Sequence, residues 1–139
     1  MYKKILHGQD GSEGAFNALV TAIDLAKRYG AELHMICVEE VPHYAGTVGE
    51  VIEEKDRENS FFQEAIQRSR KMAAEQGVDV HVHVVAGHEV KTIIEFIKEN
   101  AIDLLVIGFM GHSALYERVM GSTCQSLVRL APCSVLVVK

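Results

Sequence analysis

Short apolar runs alternate with longer amphipathic stretches from one end of the chain to the other, and this alternation leaves few folds open. Residues 3–9 read as a first strand. Over 12–29, Phe16, Leu19, Val20 and Ile23 fall at i, i+3, i+4 and i+7, one face of a helix, and Gly30 supplies a stop. Residues 33–38 read as a second strand. The stretch 39–60 carries Pro42, Gly46, Gly49 and many acids and reads as the least ordered part. A second helix is predicted from there to Gln76, with Phe62, Ala65, Ile66, Met72 and Ala73 on one face and Gly77 as its stop. In a third strand over 78–85, Val80, Val82 and Val84 alternate with His81 and His83. A third helix over 89–100 sets Val90, Ile93, Ile94 and Ile97 at helical spacing. Residues 103–107 read as a fourth strand, continuously apolar from Leu104 on, as a central parallel strand should be. A glycine-bearing loop leads to a fourth helix, which holds Leu127 and Val128 and ends at Pro132, and 134–138 read as a fifth strand.

Strict βα alternation predicts a parallel sheet with helices on both faces. Right-handed crossovers restrict this to doubly wound forms, in which ligands bind beyond the carboxyl ends of the strands, where the strand order reverses. At 139 residues, the chain reads as one domain. A formal net charge of -5 and no clustered Lys or Arg argue against a duplex nucleic-acid binder. With no apolar signal segment and no long apolar run, a soluble cytoplasmic protein is expected. The three cysteines, Cys37, Cys124 and Cys133, have no zinc-like spacing and read as reduced and mostly buried.

Two strand ends carry candidate chemistry. Gln9-Asp10-Gly11-Ser12 follows the first strand. After the fourth come Gly108-Phe109-Met110-Gly111, nine residues, and Gly121-Ser122-Thr123 opening a helix. Phosphate oxygens need several backbone N–H groups converging on one spot. Glycine permits close backbone approach, and a helix N-terminus adds N–H donors and a favourable dipole. Each half alone also reads as a tight turn or a helix cap. Together, after a central strand, they predict anion binding. Asp10 can accept from an adenine amino group or a ribose hydroxyl, or close an Asx turn. The backbone of Val38 can meet an adenine edge, and His112 can reach a phosphate.

The spacing Gly108-x-x-Gly111, nine residues, Gly121-Ser122 resembles the nucleotide signature of the universal stress protein family, in its ATP-binding subgroup. The opening Tyr2-Lys3-Lys4-Ile5-Leu6 with Asp10-Gly11-Ser12, and the closing Ala131-Pro132-Cys133-Ser134-Val135-Leu136-Val137-Val138, resemble it too. The resemblance runs the whole chain. It implies a single domain over 1–139, with a five-stranded parallel sheet of order 3-2-1-4-5 and a Rossmann-like fold of the adenine nucleotide alpha hydrolase type. It implies ATP, with Mg²⁺ held through the phosphates, and a homodimer through strand five. Carried over by position, Asp10 and Val38 lie at the adenine or ribose and Gly108 at the ribose, while Gly111, Gly121, Ser122 and Thr123 lie at the phosphates. Gln9, beside Asp10, and His112, beside Gly111, are candidate binding residues by adjacency. The chain departs from the family's usual pattern at His7, Gln9, Phe109, Met110 and Cys124.

No nucleophile–base pair stands at a recognisable spacing, and the glycine loop lacks the lysine of a P-loop. A nucleotide-dependent regulatory module, with slow or no ATP hydrolysis, is therefore the favoured reading. The alternatives are a dimeric scaffold of the same family without nucleotide, and an ATP-hydrolysing enzyme of related fold. Ligases of that fold carry a longer Ser/Gly-rich loop after strand one. A phospho-acceptor receiver would need an Asp where Ala86-Gly87-His88 stands. Seven histidines are many for this length, and His81, His83 and His88 read as solvated or helix-packed rather than as metal ligands.

Overall fold

The computed structural model describes residues 1–40, 48–109 and 120–139, with side chains described throughout these except in 48–61. The element order is β1 (Lys4–Gly8), α1 (Glu13–Tyr29), β2 (Glu32–Glu39), α2 (Val48–Glu75), β3 (Val80–Ala86), α3 (Glu89–Glu99), β4 (Leu104–Gly108), α4 (Ser122–Leu130) and β5 (Ser134–Val138). The five strands form one sheet of order β3-β2-β1-β4-β5. Every neighbouring pair is parallel. The sheet is thus the expected doubly wound one, and its order reverses between β1 and β4.

Alternation along each strand sends side chains to two cores. Ile5, Leu33, Met35, Cys37, Leu104 and Val106 pack with Phe16, Leu19 and Ile23 of α1 and with Phe62, Ala65 and Ala73 of α2. On the other face, Leu6, Ile36, Leu105 and Ile107 pack with Ile93 and Ile97 of α3 and with Cys124 and Leu127 of α4. Helix α1 is well bounded. Ser12 caps it by accepting from the N–H of Ala15, and Gly30 ends it in the left-handed conformation at φ 61°. On α1, Arg68 of α2 pairs with Glu13 and lies over the Phe16 ring, 3.8 Å from its centroid.

Two sequence expectations are corrected here. Helix α2 begins at Val48, not near residue 60. Its first half is acidic, and the apolar period begun by Val48, Val51 and Ile52 is broken by eight polar residues, 53–60, before it resumes at Phe61 and Phe62. Val20, placed on the core face of α1 by periodicity, is 57% exposed. The inner stripe is filled instead by Ala15, Ala18, Ala22 and Ala26, small residues that let α1 lie close to the sheet. Val84 is exposed as well, because β3 is an edge strand and its outer half is incompletely covered.

His7 is the polar residue at the centre of this sheet. It is fully buried in β1, and its Nδ1 lies 3.0 Å from the Val106 carbonyl of β4. Burial pushes its pKa down to about 4, against the weaker upward pull of the Val106 hydrogen bond and the Asp10 charge. The folded chain therefore keeps His7 neutral in a range where the unfolded chain protonates it. Between pH 6.5 and about 4 the unfolded state binds the extra proton, so stability falls as pH falls through that window. Urea unfolding should show the parent chain losing about 3 kcal/mol more between pH 7.5 and 4 than a His7→Leu variant.

Candidate functional site

A cleft of about 220 Å³ opens at the carboxyl ends of β1 and β4, at the reversal of strand order. Its floor and walls include Gly8 of β1, Asp10 and Ser12 of the following loop, and Ile107 and Gly108 of β4. Ala15 of α1, Glu89 and Ile93 of α3, and Gly121, Ser122, Thr123, Cys124 and Leu127 at and within α4 complete it. The carboxylate residues Asp10 and Glu89 and the N-terminus of α4 thus border one cleft.

The loop after β1 is held from within. Asp10 accepts at Oδ1 from the N–H and the hydroxyl of Ser12, an Asx turn that leads into the Ser12 cap of α1. Gly11 has φ 81°, a left-handed conformation that favours glycine. The start of α4 is held from outside. The Gly121 N–H donates to the Phe109 carbonyl at 3.0 Å, and the Phe109 N–H donates to Val138 at 3.0 Å. Gly121 is the N-cap residue and has no side chain to cap with. The first N–H groups of α4, at Ser122, Thr123 and Cys124, have no acceptor within the helix by position. They sit at the positive end of the helix dipole.

The model of the universal stress protein family matches residues 1–139. The chain belongs to the universal stress protein family. Universal stress protein MJ0531 of Methanocaldococcus jannaschii is 36% identical over 143 residues, an alignment that takes in 100% of this chain and 83% of that protein. The solved universal stress protein UspA of Lactobacillus plantarum superposes with a TM-score of 0.90 at 27% identity, covering 99% of this chain and 98% of that one. A universal stress protein solved in complex with cAMP superposes with a TM-score of 0.78 at 25% identity, covering 99% and 97%.

Of the residues that the universal stress protein signature singles out, the fold brings Asp10, Gly108, Gly121, Ser122 and Thr123 into the one cleft. Gln9 and Val38 do not line it. The Gln9 side chain turns into the α1/α2 layer and is 3% exposed. Val38 packs against the α3/α4 core. Gly111 and His112 lie outside the described residues, as do Met110, Arg118 and the segment 41–47.

Gly108 has a structural reason of its own. A Cβ there would lie 2.9 Å from the Gly14 carbonyl carbon and oxygen of α1. The glycine thus lets α1 cross the end of β4. Lining residues that the sequence reading did not single out include Gly8, Glu89 and Ile93. Glu89 opens α3 three residues after the end of β3, and a search of the helix starts beyond every strand end would have found it.

His34, His81 and His83 sit together and do not line the cleft. His34 of β2, overlooked in the sequence, stacks on His81 and His83 of β3 with ring centroids 4.8 and 5.3 Å apart. His34 Nδ1 is 3.0 Å from His83 Nε2, and Phe96 of α3 covers His83 at 4.7 Å. Among the described residues no group of three or more His, Cys, Asp or Glu is arranged to hold a metal ion. The three cysteines are free. Burial pushes the Cys37 thiol up to about 12, helped by the charges of Asp10 and Glu39. It also raises Cys124, despite its place in the first turn of α4, and Cys133.

Replacing Gly108 by alanine drives a methyl group into the α1 backbone. The expected outcome is a loss of about 1–3 kcal/mol in urea unfolding, with a larger loss for Gly108→Val. An unchanged midpoint would show that α1 moves aside freely.

Proposed function

We propose that this universal stress protein binds an adenine nucleotide, with ATP as the intended ligand, and acts as a nucleotide-dependent regulatory module. The observation that carries this reading is the pairing of Asp10 with the uncapped N-terminus of α4 across one cleft at the reversal of strand order. Such a helix end suits phosphate oxygens, and a carboxylate opposite suits sugar hydroxyls or an amino group. A relative solved with cAMP supports the same ligand class. At about 220 Å³ the cleft takes part of a nucleotide, with the remainder across its open mouth. Gln9 and Val38 would then contribute through backbone atoms, and Gly111 and His112 through the segment that joins β4 to α4. Mg²⁺ suits this site as a companion of the phosphates, held by their oxygens and by water.

Turnover should be slow or absent. Among the described residues lining the cleft there is no Lys or Arg to stabilise charge developing on a transferred phosphoryl group. A site that holds ground state and transition state equally well does not accelerate chemistry. Bound nucleotide would instead favour whichever conformation binds it more tightly.

The unit is proposed as a single cytoplasmic domain over 1–139 that pairs through β5. No helix among the described residues is long and apolar enough to cross a membrane. Strand β5 is a sheet edge on which Val135, Leu136, Val137 and Val138 are all only half-buried. Val128 and Leu130 of α4 are 45% and 53% exposed. An apolar edge left open is an aggregation liability that a second copy would cover.

Calorimetry with Mg²⁺ and ATP should give a dissociation constant of about 1 µM, roughly -8 kcal/mol. No heat and no thermal shift at millimolar ATP would refute the nucleotide reading. Single-turnover hydrolysis near 1 s⁻¹, on the order of a working kinase, would favour the enzyme instead. Light scattering should report a dimer at tens of micromolar, and a monomer there would count against β5 pairing.

A further inference from the structure

A chain of buried polar groups runs behind the cleft and reaches the backbone beside it on β4 and on the loop after β1. His7 and Ser69 are fully buried and Gln9 is 3% exposed. The Val106 carbonyl can only accept, so His7 Nδ1, 3.0 Å away, must carry the proton. In the neutral ring Nε2 is then a lone pair and needs a donor. Gln9 Nε2 supplies it across a long contact of 3.4 Å. That commits the other end of the amide. Gln9 Oε1 accepts from the Gly11 N–H at 2.9 Å, while Gln9 Nε2 also reaches Ser69 Oγ at 3.5 Å. Ser69 in turn donates to the Ala65 carbonyl at 2.7 Å.

Each link dictates the next. If His7 carried its proton on Nε2 instead, Nδ1 would face a carbonyl with no hydrogen between them. If the Gln9 amide turned over, its NH₂ would face the Gly11 N–H. Gly11 lies between Asp10 and Ser12, both of which line the cleft, and Val106 precedes the cleft residues Ile107 and Gly108. Burial keeps the imidazole neutral far below physiological pH, so this arrangement holds throughout that range.

We propose that His7 and Gln9 form a positioning pair, in which the His7 tautomer fixes the Gln9 amide and the amide holds the Gly11 N–H, setting the Asp10 loop for ligand. Neither side chain touches the ligand. The affinity arm of the test rests on the nucleotide reading above, and the other two arms do not.

Three measurements on the full chain decide it. Long-range ¹H–¹⁵N spectra of histidine-labelled parent protein should show His7 neutral with its proton on Nδ1. Gln9→Met keeps length and removes the amide. It should speed Gly11 amide exchange at least tenfold and weaken Mg²⁺–ATP binding at least tenfold. Gln9→Glu keeps an acceptor for Gly11, and its carboxylate can accept a hydrogen bond from a protonated His7 Nε2. It should keep affinity within threefold of the parent, with His7 now doubly protonated at neutral pH. Ser69→Ala removes a buried partner on the far side, so it should lower stability and leave affinity and Gly11 exchange within threefold.

A proton on His7 Nε2 in the parent overturns the proposal. So does a Gln9→Met variant that keeps parental affinity and Gly11 protection, or a Ser69→Ala loss of affinity as large as that of Gln9→Met. If the parent binds no ATP at all, the nucleotide reading fails, and the tautomer and Gly11 exchange alone judge the pair.

Discussion

Parallel strands are joined only by crossovers, and crossovers of one hand can cover both faces of a sheet only if the winding reverses once. In this chain the reversal falls beside β1, which pairs with β2 on one side and β4 on the other. The two halves lead away from that seam in opposite directions. Their loops separate at the carboxyl ends, and the separation is the cleft. Everything that lines it is placed by this one topological necessity. The loop after β1, the last residues of β4 and the first turn of α4 meet because no connection bridges the gap. The close crossing of α1 over Gly108 closes the floor beneath them.

The fold was legible in the sequence because its signals are local. Continuous apolar strands, amphipathic helices, and glycines at 30 and 77 in left-handed conformation all act within a few residues of themselves. Much of the cleft was legible for a related reason, since strand ends and helix starts are visible as punctuation. What escaped was tertiary. The first half of α2 has an acidic sequence whose apolar period breaks off between Ile52 and Phe61. The four alanines that fill the inner face of α1 carry little hydrophobic signal, although they govern how near the helix lies. His34 stacks on His81 and His83 across two strands that are far apart in sequence.

Gln9 shows the same limit from the other side. Adjacency to Asp10 made it a contact candidate, but its side chain leaves the cleft by the alternation of β1, which sends Ile5, His7 and Gln9 to one face. Its amide is spent within the protein. Gly108 lines the cleft as the sequence suggests, and it has in addition a packing reason the sequence does not show, since a Cβ there would meet the backbone of α1. In both cases the packing of the neighbouring layer, which no local pattern reveals, sets what the residue does.

The state of the three thiols has a consequence for how such a protein can sense its surroundings. Sulfur reacts with peroxides and electrophiles as the thiolate, and exposure sets how readily they meet. Here Cys37 and Cys124 are buried, Cys133 is half-buried, and burial holds all three in the protonated form. The helix dipole at Cys124 does not overcome that desolvation. The three thiols are accordingly poor substrates for oxidants. An oxidative burst that modifies reactive cysteines elsewhere would leave these three unmodified, so cysteine chemistry is not the means by which this fold would register oxidants.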